Sequence, residues 1–523
     1  MNIRGLLEER SRKCGEKIFL RFGEERFSYL EFYKTVCRVA NGFAKLGIKK
    51  GDLVAIVMPN SPAFLYAWFG LNSIGAVEIP INTAATEDEL KYILAHSEAV
   101  SIVIHKDYYP AFQRISRAEV PFLKKVLVYG GVDSMPDVLA FEDLLLSNPD
   151  PVDVVIGDDD AAVCIYTSGT TDRPKGVLNS HKSWVMTGEA YAYTVGITDQ
   201  DRVMTPNPLF HANAQVYSTM GTLAAGATLI LLEKFSVSRI LEQARQYGAT
   251  KLILVQAMTP WVWSRERKED DADNPIDTMV AGGVPDGIYH DFEERFGLKI
   301  QTIYSLTEAV MGIMGPRKGR GIRKPGGIGT PMEHPDESVV NEAMICDDSG
   351  KKVPQGVQGE IVIRNPAVML EYLKDDKKTK ESKKSGWIYT GDLGYQDEDG
   401  YFFFVGRKKD VIRRRGELIS PAQIESVLNR HPAVQESAVI GVASDLGRGE
   451  EEVQAFVVSQ KGQSLRYDEL ISYCKEQLPE FKVPRYIVLM DELPKNATGR
   501  VKKGELRKMG SDSQPERHDR LKS

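Results

Sequence analysis

Apolar and polar positions alternate in blocks over the first two-thirds of this chain. Residues 52–58 form an apolar run of strand length. Residues 62–76 follow, with Phe64, Leu65, Trp68, Phe69 and Leu71 spaced for one helix face. Further strand-like runs lie at 100–105, 125–129, 228–232 and 252–255. Strands separated by helix-length amphipathic stretches predict layered α/β structure with largely parallel sheets. The rhythm changes after about Pro325. Residues 360–364 and 401–405 are short strands beside Gly-rich and charged turns, which predicts an antiparallel, barrel-like subdomain. A charged stretch at 406–416 then leads into a compact block. There the pattern predicts helices at 421–430 and 470–478 and strands at 437–442 and 453–459. The expected fold class is α/β: a large N-terminal domain of stacked α/β sheets plus a barrel-like subdomain, then a small α+β C-terminal domain on a hinge. The expected units are 1–408, 409–510 and a tail at 511–523, which is polar, nearly free of apolar anchors and expected to be disordered.

Composition narrows this picture. A chain of 523 residues exceeds a single core, so at least two domains are expected. Net charge is −6, with 42% apolar and 27% charged residues, which gives no global attraction to nucleic acid or an anionic membrane. The longest apolar candidate, 251–263, is interrupted by Lys251 and Gln256 and is too short to span a bilayer. Residues 1–12 alternate charge with leucine and lack a signal core, so a cytoplasmic location is expected. The five cysteines, at 14, 37, 164, 346 and 474, form no C-x-x-C pair and read as buried free thiols. Oligomeric state is left open, a homodimer included.

The chemistry concentrates in residues 168–176, Ser-Gly-Thr-Thr-Asp-Arg-Pro-Lys-Gly. A short apolar run precedes them, and residues with helix-like spacing (Trp184, Val185, Gly188, Tyr191) follow. Strand, glycine–hydroxyl loop and helix predict an anion cradle: N–H groups and hydroxyls point inward, and the helix start adds partial positive charge. Thr167, Ser168, Thr170 and Thr171 supply hydroxyls, Gly169 permits close backbone approach, Pro174 stiffens the return and Lys175 adds a full charge. It is not a Walker A loop, because Lys175 precedes a glycine and no hydroxyl follows it.

Residues 166–177, Tyr-Thr-Ser-Gly-Thr-Thr-Asp-Arg-Pro-Lys-Gly-Val, resemble the signature of the adenylate-forming superfamily. That superfamily comprises acyl-CoA synthetases, peptide-synthetase adenylation domains and beetle luciferases. Tyr304-Ser305-Leu306-Thr307-Glu308, Gly327-Ile328-Gly329-Thr330-Pro331, Tyr389-Thr390-Gly391-Asp392, Gly406-Arg407 and Phe481-Lys482-Val483-Pro484 follow in the superfamily's order. The resemblance implies that ATP is bound by Thr167 and its loop, with Lys175 catalytic and Glu308 holding Mg²⁺, a hard cation suited to phosphate oxygens. It places adenine on Tyr304 beside Gly283, Val284 and Pro285, and ribose on Asp392 with Arg407. Ser305 stands where the superfamily commonly has glycine, which narrows the space beside the acyl group. His211, in Pro208-Leu209-Phe210-His211-Ala212-Asn213, is implied to line the acyl pocket and the thiol route. Lys409 matches the hinge, Gly416 follows the basic cluster, and Arg413, Arg414 and Arg415 are candidates to meet CoA phosphates.

The implied reaction is acyl-CoA ligation: a carboxylic acid is activated with ATP to acyl-AMP, then transferred to CoA. Several stretches, among them Pro80-Ile81-Asn82 and 225–228, resemble the carnitine/crotonobetaine-CoA and medium-chain ligase branches. One departure stands out. In the final motif, 494–502, Arg500 occupies the place of the superfamily's catalytic lysine. A planar guanidinium does not sit where a point ammonium does. Slow adenylation, use of Lys495 or Lys502 instead, or a thioesterification-only enzyme taking preformed acyl-AMP are the alternatives. A carrier-loading adenylation enzyme ranks lower, because 210–213 lacks the pocket aspartate that holds an amino group.

Overall fold

The computed structural model describes residues 1–131, 138–167, 173–255, 258–284, 286–317, 319, 321, 323–414, 417–444, 450–495, 501–511 and 517–521. Ser168, Gly169, Thr170, Thr171, Pro285, Arg415, Gly416 and Arg500 lie outside the described residues.

Two large sheets organise the chain. In the eight-stranded sheet, Val77–Pro80 lies between Leu53–Val57 and Ala161–Thr167, parallel to both. Ser101–His105 and Lys125–Tyr129 extend it in parallel. The second sheet begins with parallel strands, among them Thr228–Leu231, Arg202–Thr205, Lys251–Leu254, Thr278–Ala281 and Lys299–Leu306. From Lys299–Leu306 onward it continues antiparallel through Ala309–Met314, Gly327–Pro331, Phe402–Arg407, Trp387–Gln396 and Gly359–Arg364. The barrel-like part is thus the antiparallel end of the same hydrogen-bonded path.

Helices Pro62–Ser73 and His181–Val195 lie in the central hydrophobic cluster. The first is buried at every residue, which explains why it is apolar on all sides. Ser61 caps it by accepting from the Phe64 N–H, and Pro62 sits at its first position, where no donor is needed. Segment Asn213–Met220 is wound as a π-helix and is also buried. Such windings cluster at functional sites. Among the described residues, no helix is long and apolar enough to cross a membrane.

The last part carries its own core. Two hydrophobic clusters there draw only on residues 412–509. Strands Val434–Ala443, Glu451–Ser459 and Tyr486–Met490 form the sheet, and helices Pro421–Leu428 and Tyr467–Gln477 are close to their expected bounds.

Two expectations are corrected. The flanks of residues 168–172 are not strand and helix. Lys175–Ser180 is a strand that returns antiparallel to Ala161–Thr167, with Thr167 opposite Lys175. The helix starts only at His181, on a Ser180 cap, so its dipole is not aimed at the loop. Val177 and Asn179 are buried on one face of that strand, a period-two signal too short to separate from the helix behind it. The tail is also anchored over its described part. His518–Asp519 pairs with Tyr486–Met490, the His518 ring stacks on Tyr467 at 4.6 Å, and Arg520 pairs with Glu480. These anchors are polar and aromatic, so the hydropathy pattern misses them.

Candidate active site

One wall of the candidate site is built by three segments far apart in sequence. Lys175 opens the return strand of the hairpin. Its Nζ lies 4.6 Å from the centre of the Tyr372 ring. Tyr372 sits in the two-residue strand Glu371–Tyr372, paired antiparallel to the hairpin with Tyr372 opposite Val177. Its hydroxyl donates to Glu308 Oε1 at 2.7 Å. Burial, and then the Glu308 charge, push the Tyr372 pKa up, so the phenol stays protonated and keeps donating. Backbone contacts lock the segment: Asn179 Nδ2 donates to the Thr307 carbonyl at 3.2 Å, and the Met369 N–H to the Glu308 carbonyl at 2.9 Å. Cation, phenol and carboxylate therefore line one wall beside Thr167.

A second cluster centres on Asp392, 3% exposed. Tyr304 donates its hydroxyl to Asp392 Oδ2 at 2.8 Å, and Arg407 Nε lies 2.8 Å from Asp392 Oδ1. Asp392 and Arg407 are register partners on neighbouring antiparallel strands, so the pair is set by the sheet. Gly391, at φ 70°, makes the turn into Asp392, and its N–H donates to Glu360 Oε1 at 2.9 Å. Burial first, and Asp392 next, raise the Tyr304 pKa well above the usual phenol value. Tyr304 thus holds one oxygen of the carboxylate by a hydrogen bond, and the Arg407 guanidinium balances its charge. Gly283, at φ 66°, and buried Val284 follow strand Thr278–Ala281, next to the strand that carries Tyr304. The Tyr304 ring itself is 6.1 Å from Phe404.

His211 lies just before the π-wound segment. Burial brings its pKa down to about 4, so the ring is neutral near pH 7 and a weak base. It suits a pocket wall better than a proton acceptor. Asn60 pins this stretch, accepting from the Leu209 N–H at 2.8 Å and donating to the Asn207 carbonyl at 2.9 Å. Tyr217 donates to the Val310 carbonyl at 2.6 Å, and its hydroxyl also engages Ser305.

Lys409 lies exposed in the turn after Arg407. Its neighbours are tied to opposite sides. Lys408 reaches Asp348 at 2.7 Å and Glu360 at 3.2 Å; Asp410 reaches Arg507 at 2.6 Å. The turn thus joins an anchor on each domain. Arg414 is corrected as a phosphate contact: it is buried, 2.8 Å from Glu452, and donates to the Phe481 carbonyl at 2.6 Å. Lys495 and Lys502 pair with Glu436 and Glu505. Tyr372 and Glu360 escaped the sequence reading, because a lone tyrosine in a two-residue strand and one glutamate in a charged region carry no local signal.

Residues 7–373 match the family model for the AMP-binding enzyme, and residues 423–500 that for the AMP-binding enzyme C-terminal domain. The chain belongs to this family of AMP-binding, adenylate-forming enzymes. Over 525 residues it is 33% identical to a crotonobetaine/carnitine–CoA ligase of Salmonella heidelberg (strain SL476), covering 97% of this chain and 99% of that protein. It is 34% identical to the Escherichia coli O1:K1 / APEC protein of the same name, covering 91% of this chain and 92% of that one. The anthranilate CoA ligase AuaEII in complex with anthranoyl-AMP superposes with a TM-score of 0.88 at 26% identity, covering 98% and 97% of the two chains. ATP-bound MatB from Rhodopseudomonas palustris gives 0.87 at 28% identity, covering 98% and 99%.

Lys175→Ala and Glu308→Gln are each expected to lower ATP-dependent pyrophosphate formation by about 10²- to 10³-fold, the usual cost of removing one preorganised charge from a transition state. Their melting temperatures should stay near that of the parent. Stopped-flow pyrophosphate assays with parallel thermal melts check this, and parental kinetics for both would refute the assignment.

Proposed function

We propose that this chain is an ATP-dependent acid–thiol ligase, AMP-forming, that converts a carboxylic acid to acyl-AMP and passes the acyl group to CoA. The observation that carries the reading is Asp392 clamped between Tyr304 and Arg407, with the Arg407 charge also bearing on Tyr372 in the wall formed by Lys175, Tyr372 and Glu308. Asp392 accepts from the ribose hydroxyls of ATP, and Tyr304 with Gly283 and Val284 borders the base. Lys175 and the Thr167 loop neutralise phosphate charge. The substrate carboxylate attacks the α-phosphorus and pyrophosphate leaves. Positioning and charge complementarity supply most of the acceleration.

Glu308 is the residue that would hold Mg²⁺. Among the described residues, no cluster of three or more His, Cys, Asp or Glu could hold a metal. One carboxylate beside phosphates fits Mg²⁺, which keeps waters and takes substrate phosphates as its other ligands. The ion would supply charge neutralisation on the departing pyrophosphate. Rotation about the Lys409 turn then exchanges the faces that the small domain presents, so that CoA thiolate attacks the acyl carbonyl of acyl-AMP and AMP leaves.

Pyrophosphate release with ATP and a panel of carboxylic acids, with and without CoA, tests the reading. Crotonobetaine and carnitine, the acids in the relatives' names, belong in the panel. CoA-independent pyrophosphate bursts followed by CoA-dependent turnover are expected.

Arg500 favours a second reading, thioesterification of preformed acyl-AMP, because a fork replaces a point charge. Arg500→Lys is expected to raise the pyrophosphate-forming rate by about tenfold or more, since misplacement of about 1 Å can cost on the order of a hundredfold. A fall in that rate would mean that arginine is adapted to this enzyme.

A further inference from the structure

Glu78 is a buried carboxyl that the reaction above does not use. It is 0% exposed and lies on strand Val77–Pro80, with Val54 and Val163 as register partners on either side. Its neighbours in sequence, Val77 and Ile79, pack into the cluster on the other face of the sheet. Val54 and Val163 belong to the central cluster, so Glu78 points to the layer that also holds Trp184, Val216 and Tyr217. Among the described residues, neither Glu78 oxygen has a hydrogen-bond partner, and Gln215 is the polar side chain that bears on it.

Gln215 links Glu78 to the His211 stretch. It is buried in the π-wound segment, four residues after His211, whose carbonyl accepts the Gln215 N–H at 3.4 Å. Its Oε1 accepts from Trp184 Nε1 at 3.1 Å, and its Nε2 donates to the Leu209 carbonyl at 2.9 Å. Two residues on, Tyr217 holds the carbonyl of Val310, close to Glu308 in sequence. The segment therefore ties the His211 stretch and the Val310 strand to Glu78. Thr187 Oγ1 and Ser218 Oγ, on the two helical segments that carry Trp184 and Gln215, are also buried without hydrogen-bond partners among the described residues.

A lone carboxyl in an apolar layer is destabilising unless something pairs with it. An aliphatic residue would serve the fold better at this strand position, so the group calls for a ligand. We infer that Glu78, with Gln215, closes the far end of the acyl pocket and receives a positively charged nitrogen. The substrate is then a carboxylic acid with an ammonium or quaternary ammonium group remote from its carboxylate. Trp184 and Tyr217 provide aromatic rings in the same layer, which suits such a cation. Burial raises the Glu78 pKa well above the carboxylate range in the free protein, and a cation would reverse that. This inference rests on the ligase reading.

The test compares a matched pair: 4-(trimethylammonio)butanoate and its carbon isostere 5,5-dimethylhexanoate. Wild-type protein, E78Q and E78L are assayed for pyrophosphate and CoA-thioester formation. Wild type is expected to favour the cationic acid in kcat/KM by at least about thirtyfold, because the isostere leaves a buried carboxyl without a partner. E78Q should cut that ratio by about tenfold or more, and E78L should invert it. E78L should also melt at or above the wild-type temperature, since an uncompensated carboxyl has been removed, which excludes misfolding as the cause. A wild-type preference for the isostere, or a ratio within threefold of wild type in both variants, overturns the Glu78 assignment and leaves the ligase reading standing. Absence of turnover with every acid overturns the ligase reading, and this inference with it.

Discussion

Asp392→Ala is expected to lower kcat/KM for ATP on the order of a thousandfold. A hydrogen bond to a charged group contributes about 1.5–3 kcal/mol, and the carboxylate is proposed to accept two from ribose. Each 1.4 kcal/mol corresponds to about tenfold. The variant also leaves Arg407 and the Tyr304 hydroxyl without the acceptor they share, 2.8 Å from each. Removing one partner of a buried pair can cost about 3–5 kcal/mol, so a drop in stability is expected as well. Asp392→Asn separates the two effects. It keeps the volume and one acceptor, so its melting temperature should fall less than that of the alanine variant. Its ATP affinity should still fall by about tenfold or more. ATP calorimetry and thermal melts on both variants check this. Unaltered ATP binding in Asp392→Ala would remove ribose from this corner of the site.

Lys409→Pro is expected to separate the two half-reactions. Lys408 is anchored to Asp348 and Glu360, and Asp410 to Arg507, and the proposed rotation of the small domain turns on the residue between them. Proline holds φ near −65° and removes that freedom. One half-reaction should survive near the parental rate, and the other should fall on the order of a hundredfold, as expected when reacting groups are held about 1 Å or more from register. Pyrophosphate exchange measures the first step, and CoA capture of supplied acyl-AMP measures the second. An equal fall in both, or no change in either, would move the hinge elsewhere.

Both predictions depend on contacts between residues distant in sequence, and their legibility differs. Asp392 and Arg407 stood out because each ends a short motif in a known order, and the sheet register then made them partners. Glu308 was legible for the same reason. Tyr372 was not. Its strand is two residues long, and its hydroxyl reaches a carboxylate 64 residues away. No local periodicity encodes that. Residues 168–176 were singled out by composition, but their setting was misread as strand, loop and helix. The return strand Lys175–Ser180 is formed by pairing with Ala161–Thr167 and Glu371–Tyr372, and such pairing is decided by tertiary partners more than by intrinsic preference.

The amino-acid order by itself determined the α/β layering, the change to antiparallel strands, the separate small domain and the motif set of an adenylate-forming enzyme. These follow from hydrophobic period, length and short motifs, all of which act over a few residues. Only the tertiary structure decided that a tyrosine bridges lysine and glutamate, that Arg414 faces inward to Glu452, and that Glu78 is sealed in the central layer. Those outcomes depend on which surfaces meet once the sheets close, and burial then sets the charge, protonation and unmet hydrogen-bonding capacity of each group.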